Sequence, residues 1–323
     1  MAVFAIYNYQ FYRVYEMVRQ ANLFADDVVK EKVNEAFAHR QEILGKLLDM
    51  DYRQEQNIRF RSRFYDDKEY IHGYVAPPQD DVYVLRIANK RCTRIVTQDL
   101  KEQPMDDYKN CIVIIDNRPG IQRILIEDKK AAFGTTMQVS RILEYTFSLL
   151  LKHYSLQIGL MHLQNPKVFW DLTKDKRSYP EGFYKITFHV PHLNLERLRK
   201  VFDRVLVMSR EVFDSDLEWS YKANDGGQLK IDEKNPYQHE LIEWLMKDVG
   251  DENIKLFANN NKRKAIVVGR DSFLSTSISD KTFRLLEEEA KTNMLFSSAM
   301  NDIKKKTKTG IDPSLESNDK TSH

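Results

Sequence analysis

Apolar and polar positions change period several times along the chain, and each change marks an element. Residues 3–15 are rich in aromatic side chains and carry no helix cap, which predicts an opening strand. From Asp26 and Asp27, charges suited to a helix N-terminus, Val29, Val33, Ala36, Phe37, Leu44, Leu47 and Leu48 recur at helical spacing up to Met50. Period two then takes over. It predicts strands at 57–65, 69–76, 82–88, 92–98, 110–116 and 121–128, with turn chemistry at Asp66-Asp67, Pro77-Pro78, Asn89-Lys90 and Arg118-Pro119-Gly120. Cys111 to Ile115 is apolar at both alternating sets of positions, so it is expected as a central strand covered on both faces. Thr135 or Thr136 then caps an apolar helix through Met137, Ile142, Leu143, Phe147, Leu150 and Leu151.

Beyond Tyr154 strands and helices alternate: a strand at 157–163, a helix at 166–174, a strand at 183–190 ending at Pro191, and a helix from Asn194. Asn224-Asp225-Gly226-Gly227 within 217–231 is a hairpin signal, because the positive φ values of such turns suit these residues. Residues 237–247 read as a helix, followed by a basic hairpin with its tip at 259–264. A last helix opens near Asp280 and carries Phe283, Leu286, Ala290 and Met294, and residues 301–323 read as a disordered lysine-rich tail. The expected fold class is α+β: an extended mixed or antiparallel sheet with flanking helices over residues 1–155, followed by a second α+β region over 156–300.

Composition narrows the function. Fifty basic residues against 48 acidic ones give a formal charge of +2, so any polyanion-binding surface has to be local. Two cysteines, Cys92 and Cys111, both lie in strand-like runs and imply neither a disulfide framework nor a zinc cage. The first 16 residues lack a basic leader, and the longest apolar stretch, Ile142 to Leu151, is well short of the roughly 20 residues that span a bilayer. The expectation is a cytoplasmic protein with no membrane contact. Eleven glycines form no phosphate-cradling loop, no Gly-x-Ser-x-Gly elbow is present, and no metal or other cofactor is predicted. His189 and His192 are the only close histidine pair, and odd spacing on a strand sends them to opposite faces.

The surface singled out by alternation lies at Arg59, Arg61 and Arg63, with Ile58, Phe60 and Phe64 on the other face. Tyr70, His72 and Tyr74 alternate in the same way against Ile71 and Val75. Pairing Phe64 with Ile71 puts the aliphatic and Phe side chains in the core and leaves arginines, tyrosines and histidine together on an open face. Arginine grips phosphate and tyrosine stacks on bases, a combination used by sheets that bind single strands. Arg86, Arg91 and Arg94 extend the basic density, and the 262–264 cluster adds to it if it lies nearby.

One catalytic constellation also stands out. Asp116 ends one apolar strand, and Glu127-Asp128-Lys129 ends the next. This pattern resembles the core of the PD-(D/E)XK nucleases, and the resemblance implies a divalent metal held by Asp116 and Glu127, with Lys129 positioning the attacking water. It covers about thirty residues. A tight turn at Arg118-Pro119-Gly120-Ile121 would make the two strands a hairpin, placing Glu127 about 13–20 Å along from Asp116, whereas two ligands of one metal approach within about 4–5 Å.

The leading expectation is therefore a nucleic-acid-binding or sensing protein without catalysis, in a setting such as an antiviral or mobile-element system. An alternative is a structural or assembly subunit that meets a protein partner, or its own copy, through the 280–300 helix with Phe283, Leu286 and Met294. A metal-dependent nuclease is the third.

Overall fold

The computed structural model describes residues 1–14, 26–55, 58–63, 68–96, 98–99, 101–190, 217–249, 254–268, 274–287 and 293–308. Among them are seven helices and two antiparallel curled sheets, an α+β fold. The chain divides into two units. The first joins Met1–Leu160 to Ser275–His323, and the second is Met161–Leu274. The expected helix from Asn194 lies outside the described residues.

In the first unit an eight-stranded sheet contains β1 (Ala2–Arg13), β2 (Phe60–Arg61), β3 (Glu69–Tyr74), β4 (Val82–Val96), β5 (Glu102–Asp116), β6 (Arg123–Glu127), β7 (Leu156–His162) and β12 (Ser275–Ile278). Its order is β12-β1-β6-β5-β4-β3-β2, with β7 also on β1. Residues Cys111 to Ile115 of β5 lie between β4 and β6 and are buried on both faces. Two-sided burial is what the uninterrupted apolar run requires, since exposing either face would leave branched aliphatic side chains in water.

One face packs on α1 (Asp26–Ala38), α2 (Arg40–Tyr52) and α3 (Thr136–Leu151) through Tyr7, Tyr9, Leu85, Val113, Ile126, Leu44, Leu48, Ile142 and Phe147. Thr135 caps α3 by accepting from the Gln138 N–H. The Pro119-Gly120 turn closes the β5–β6 hairpin, with Gly120 at φ +77° and the Ile121 N–H on the Arg118 carbonyl at 3.1 Å. Gly159 lets β7 lie beside Tyr12, for a Cβ there would stand 2.7 Å from the Tyr12 ring.

The opposite face carries Phe4, Ile6, Val84, Ile114 and Leu125, all buried. Two helices late in the chain return to this unit, α6 (Asp280–Glu287) and α7 (Asn293–Thr307). Here the structure corrects three expectations. The C-terminal segment belongs with residues 1–160 rather than with a 156–300 domain, because β12 pairs with β1 (Ala2 opposite Ile278). Residues 301–307 continue α7 instead of starting a disordered tail, since Ala299, Met300, Ile303 and Thr307 form one helical stripe and are buried, and 309–323 of the expected tail lie outside the described residues. Finally, Phe283 and Leu286 are buried in this unit, Phe283 against Phe4 at 5.7 Å between ring centres, so the 280–300 segment does not hold them out to a partner. The Met294 side chain lies outside the described residues.

In the second unit β8 (Phe183–Val190), β9 (Leu217–Lys222), β10 (Ile254–Ala258) and β11 (Asn261–Val267) form a sheet in the order β11-β10-β8-β9. One face packs Ile186, Phe188, Val190, Trp219, Ile254 and Leu256 against α4 (Pro166–Lys174), α5 (Pro236–Trp244) and the π-helical turn at Leu245–Val249. Asn165 and Asn235 cap α4 and α5, each followed by proline at the first helical position. No described helix is long and apolar enough to cross a membrane.

Candidate functional site

The β2–β3 register decides the fate of the first candidate surface. Phe60 stands opposite Tyr70, and Arg61 opposite Glu69. In an antiparallel pair opposite residues share a face, so Tyr70, His72 and Tyr74 lie with Phe60 on the core side. Tyr70 is 3% exposed and packs on Phe133, whereas Ile71 is 59% exposed. The pairing expected from sequence is thus replaced by the one that buries three aromatic bodies at the expense of one isoleucine. Two of the polar tips find partners inside: the Tyr74 hydroxyl donates to the Leu48 carbonyl at 3.0 Å, and His72 Nε2 meets Asp51 Oδ2 at 2.7 Å. Asp51 also accepts the Ile58 N–H at 2.5 Å. This His–Asp pair fastens β3 to α2, and among the described residues no hydroxyl or thiol is hydrogen-bonded to His72 to serve as a nucleophile.

Of the six arginines, Arg59, Arg61 and Arg94 meet carboxylates. Glu69 pairs with Arg61 at 2.7 Å and Arg59 at 3.5 Å, Arg94 meets Glu102 at 3.2 Å, and nearby Lys90 meets Asp106 at 2.7 Å. Arg91 turns to the core side and donates to the Ala132 carbonyl at 3.2 Å, Arg86 is half-buried opposite Gly73, and Arg63 is exposed beyond β2. The structure does not assemble these nine residues into one face.

Asp116, Glu127 and Lys129 are not brought together either. Asp116 stands opposite Arg123, so Glu127 lies four residues further along β6, about 13 Å at strand rise. Glu127 accepts the Ile112 N–H at 2.9 Å. Asp116 is fully buried and gripped by Arg118 through Nε at 2.9 Å and Nη2 at 2.6 Å, and it accepts the Thr307 hydroxyl from α7. Arg118 also donates to the Lys304 carbonyl, and the Lys304 ammonium meets Asp80 at 2.6 Å. These bonds raise the Arg118 pKa, chiefly through Asp116, and lower that of Asp80 through Lys304. The carboxylate that resembled a metal ligand is the anchor of the C-terminal helix. Among the described residues no three side chains of metal-ligating type converge.

The second unit holds a surface of different character, on the sheet face opposite its core. The β8–β10 register slips at Phe257/Ala258: Phe257 faces Lys185, but Ala258 faces Phe183. The extra residue, Tyr184, makes a bulge that aims two consecutive side chains, Tyr184 and Lys185, at Phe257. The β10–β11 pairing slips at the same point and sets Lys262 beside them. Lys185 Nζ lies 5.1 Å from the centre of the Phe257 ring, and Lys262 Nζ lies 5.6 Å from that of Tyr184. The two rings are 6.2 Å apart and inclined at 65°, and the Tyr184 hydroxyl is held by the Lys262 carbonyl at 3.1 Å.

More charge surrounds this pair. Lys222 is opposite Lys185, and Lys255 lies two residues from Phe257 on the same face. Among the described residues none of Lys185, Lys222, Lys255 and Lys262 has a carboxylate partner, whereas Lys174 and Lys247 in the same unit pair with Glu233 and Glu243. Between Lys255 and Ser220 in the ladder sits Thr187, buried, with a hydroxyl that has no partner among the described residues. Sequence inspection reached the 262–264 tip but missed this group, because its members come from separate strands. A signal existed in the lysine beside an aromatic residue on three strands: Tyr184-Lys185, Tyr221-Lys222 and Lys255-Leu256-Phe257.

No protein-family model matches the chain, and neither does any curated protein or solved structure.

Proposed function

We propose that this protein binds nucleic acid in the cytoplasm without cleaving it, through the lysine-ringed aromatic pair of the second unit. The observation that carries this reading is the contrast in charge pairing. Arg59, Arg61 and Arg94 of the first unit already have carboxylate partners, while among the described residues the four lysines around Tyr184 and Phe257, Lys185, Lys222, Lys255 and Lys262, have none. Lysines grouped with no ion pair among the described residues favour a polyanion, since each phosphate they neutralise releases a condensed counterion. The aromatic rings add a stacking surface that suits bases. Asp116 and Glu127, committed to Arg118 and to the β5 backbone, argue for binding rather than hydrolysis.

The test is binding of a labelled oligonucleotide to the full chain over a salt series. Affinity should fall linearly with salt on logarithmic axes. Replacing Lys185, Lys222 and Lys255 by Gln should flatten the slope by about 2, at roughly 0.7 per lost phosphate contact on a single strand. Replacing Arg59, Arg61 and Arg63 by Gln should leave most of the slope in place. Absence of salt-dependent binding, or a triple-lysine variant with the parental slope, overturns the reading.

The long β4–β5 ribbon supports a second reading, that of an assembly subunit. Among the described residues β3 pairs with β4 no further than Ala88 and β6 pairs with β5 no nearer its start than Val113, so the outer part of the ribbon has no further strand partner there, with Met105 and Tyr108 exposed. Self-association that is lost on replacing Met105 and Tyr108 by Lys would favour it.

A further inference from the structure

We infer that the site of the second unit is built for single-stranded nucleic acid, with Phe257 and Tyr184 as platforms for two neighbouring bases that displace the lysines now lying over the rings. This rests on the polyanion reading above and specifies which polyanion.

Spacing carries the argument. Consecutive bases along one strand of a duplex are separated by about 3.4 Å. The rings are 6.2 Å apart and inclined at 65°, so they cannot both lie flat on neighbouring bases of a stacked helix. They suit bases pulled apart and splayed, which an unpaired strand offers and a duplex resists. Neither ring is at liberty to drift. The β8 bulge fixes Tyr184 against Phe257, and the bond from its hydroxyl to the Lys262 carbonyl ties it to β11. Prior ordering of this kind removes part of the entropic cost of binding.

The lysines complete the exchange. An ammonium group resting on a half-buried ring at the surface is a weak partner, whereas a base presents a whole face of its own. As a base settles on Phe257, Lys185 is released toward the phosphate of that nucleotide, with Lys222 directly beside it. Lys262 does the same at Tyr184. No charge is lost in the exchange, because each cation trades a ring for an anion.

The experiment compares an unstructured oligothymidine or oligouridine with a blunt duplex of equal length, using the full chain and its Phe257→Leu and Tyr184→Leu variants. The unpaired strand should bind at least about tenfold tighter than the duplex. Each Leu variant should lower single-strand affinity by about tenfold, as the loss of one stacked base does, with the salt slope unchanged and duplex affinity within about twofold. Two variants on different strands keep the test decisive should one fail to fold. Equal affinity for both nucleic acids, with no effect of either Leu variant, overturns this inference while the lysine variants still uphold the polyanion reading. Binding to no oligonucleotide overturns both. Preference for vesicles of anionic phospholipid over either nucleic acid also overturns both.

Discussion

Asp116 is the residue whose loss should matter most to the fold of the first unit. It is completely buried, and its two oxygens accept both arms of Arg118 and the Thr307 hydroxyl, so one carboxylate joins the end of β5 to the last turn of α7. Replacing it with Ala leaves the Arg118 guanidinium without its anion. Breaking a buried ion pair by removing one member costs about 3–5 kcal/mol. The Arg118 side chain keeps 21% of its exposure and can recover some hydration, which favours the lower end, near 3 kcal/mol. For a unit of this length each kcal/mol moves the midpoint by about 2–4 °C, so the shift is about 6–12 °C. Calorimetry resolves it, provided the two units are fitted as separate transitions. Limited proteolysis adds a second measure, as cleavage after Lys304, Lys305 or Lys306 should speed up when α7 loosens. Oligonucleotide binding should survive, since the lysine group belongs to the other unit. A variant melting within about 2 °C of the parent, or losing binding while folded, would refute the reasoning.

The β2–β3 register makes a paired prediction. Ile71→Ser should change stability by no more than about 0.5 kcal/mol, whereas Tyr70→Ser should cost about 3 kcal/mol or more; urea titration separates the two, and the reverse order would restore the register in which Ile71 is inside. Glu144 predicts a pH effect. It is largely buried on α3, and its carboxyl pKa is raised by desolvation, against the opposing bond from the Leu160 N–H at 2.9 Å. The folded form therefore holds this proton more tightly than the unfolded chain, and the site contributes stability below the ordinary carboxylate range that is lost as pH rises through the elevated value. Melting midpoints of Glu144→Gln should accordingly gain on the parent from pH 4 to pH 7, and a constant difference would contradict the assignment.

How much the chain discloses before folding depends on the kind of residue. Cys111 to Ile115 can be read directly, because an aliphatic run has one satisfactory place to go. The Thr135 cap and the Asn165-Pro166 start of α4 are just as legible, since their backbone donors need a nearby acceptor. Tyr70, His72 and Tyr74 are not, because each joins an apolar body to a polar tip and fits either face until the partners, Asp51 and the Leu48 carbonyl, are in place. Asn89-Lys90 reads as a turn between two strands and 102–109 carries no strand signal, yet both belong to the continuous exposed ribbon of β4 and β5, whose cross-strand ion pairs join residues many positions apart. The buried stripe Ala299, Met300, Ile303 and Thr307 was visible at helical spacing but obscured by the lysines between its members. The bulge at Tyr184 has no local sequence signature at all, for it is a property of the pairing with β10.

The central claim, that the nucleic-acid site lies on the sheet of the second unit, is tested most directly by photochemical cross-linking. An unpaired oligonucleotide carrying a short-range photoreactive base is irradiated with the full chain, and the adducts are mapped by peptide mass spectrometry. The account predicts adducts on peptides containing Tyr184 and Phe257, weakened by the triple substitution of Lys185, Lys222 and Lys255. Adducts concentrated on residues 59–94, or none above those formed with an unrelated protein, would contradict it.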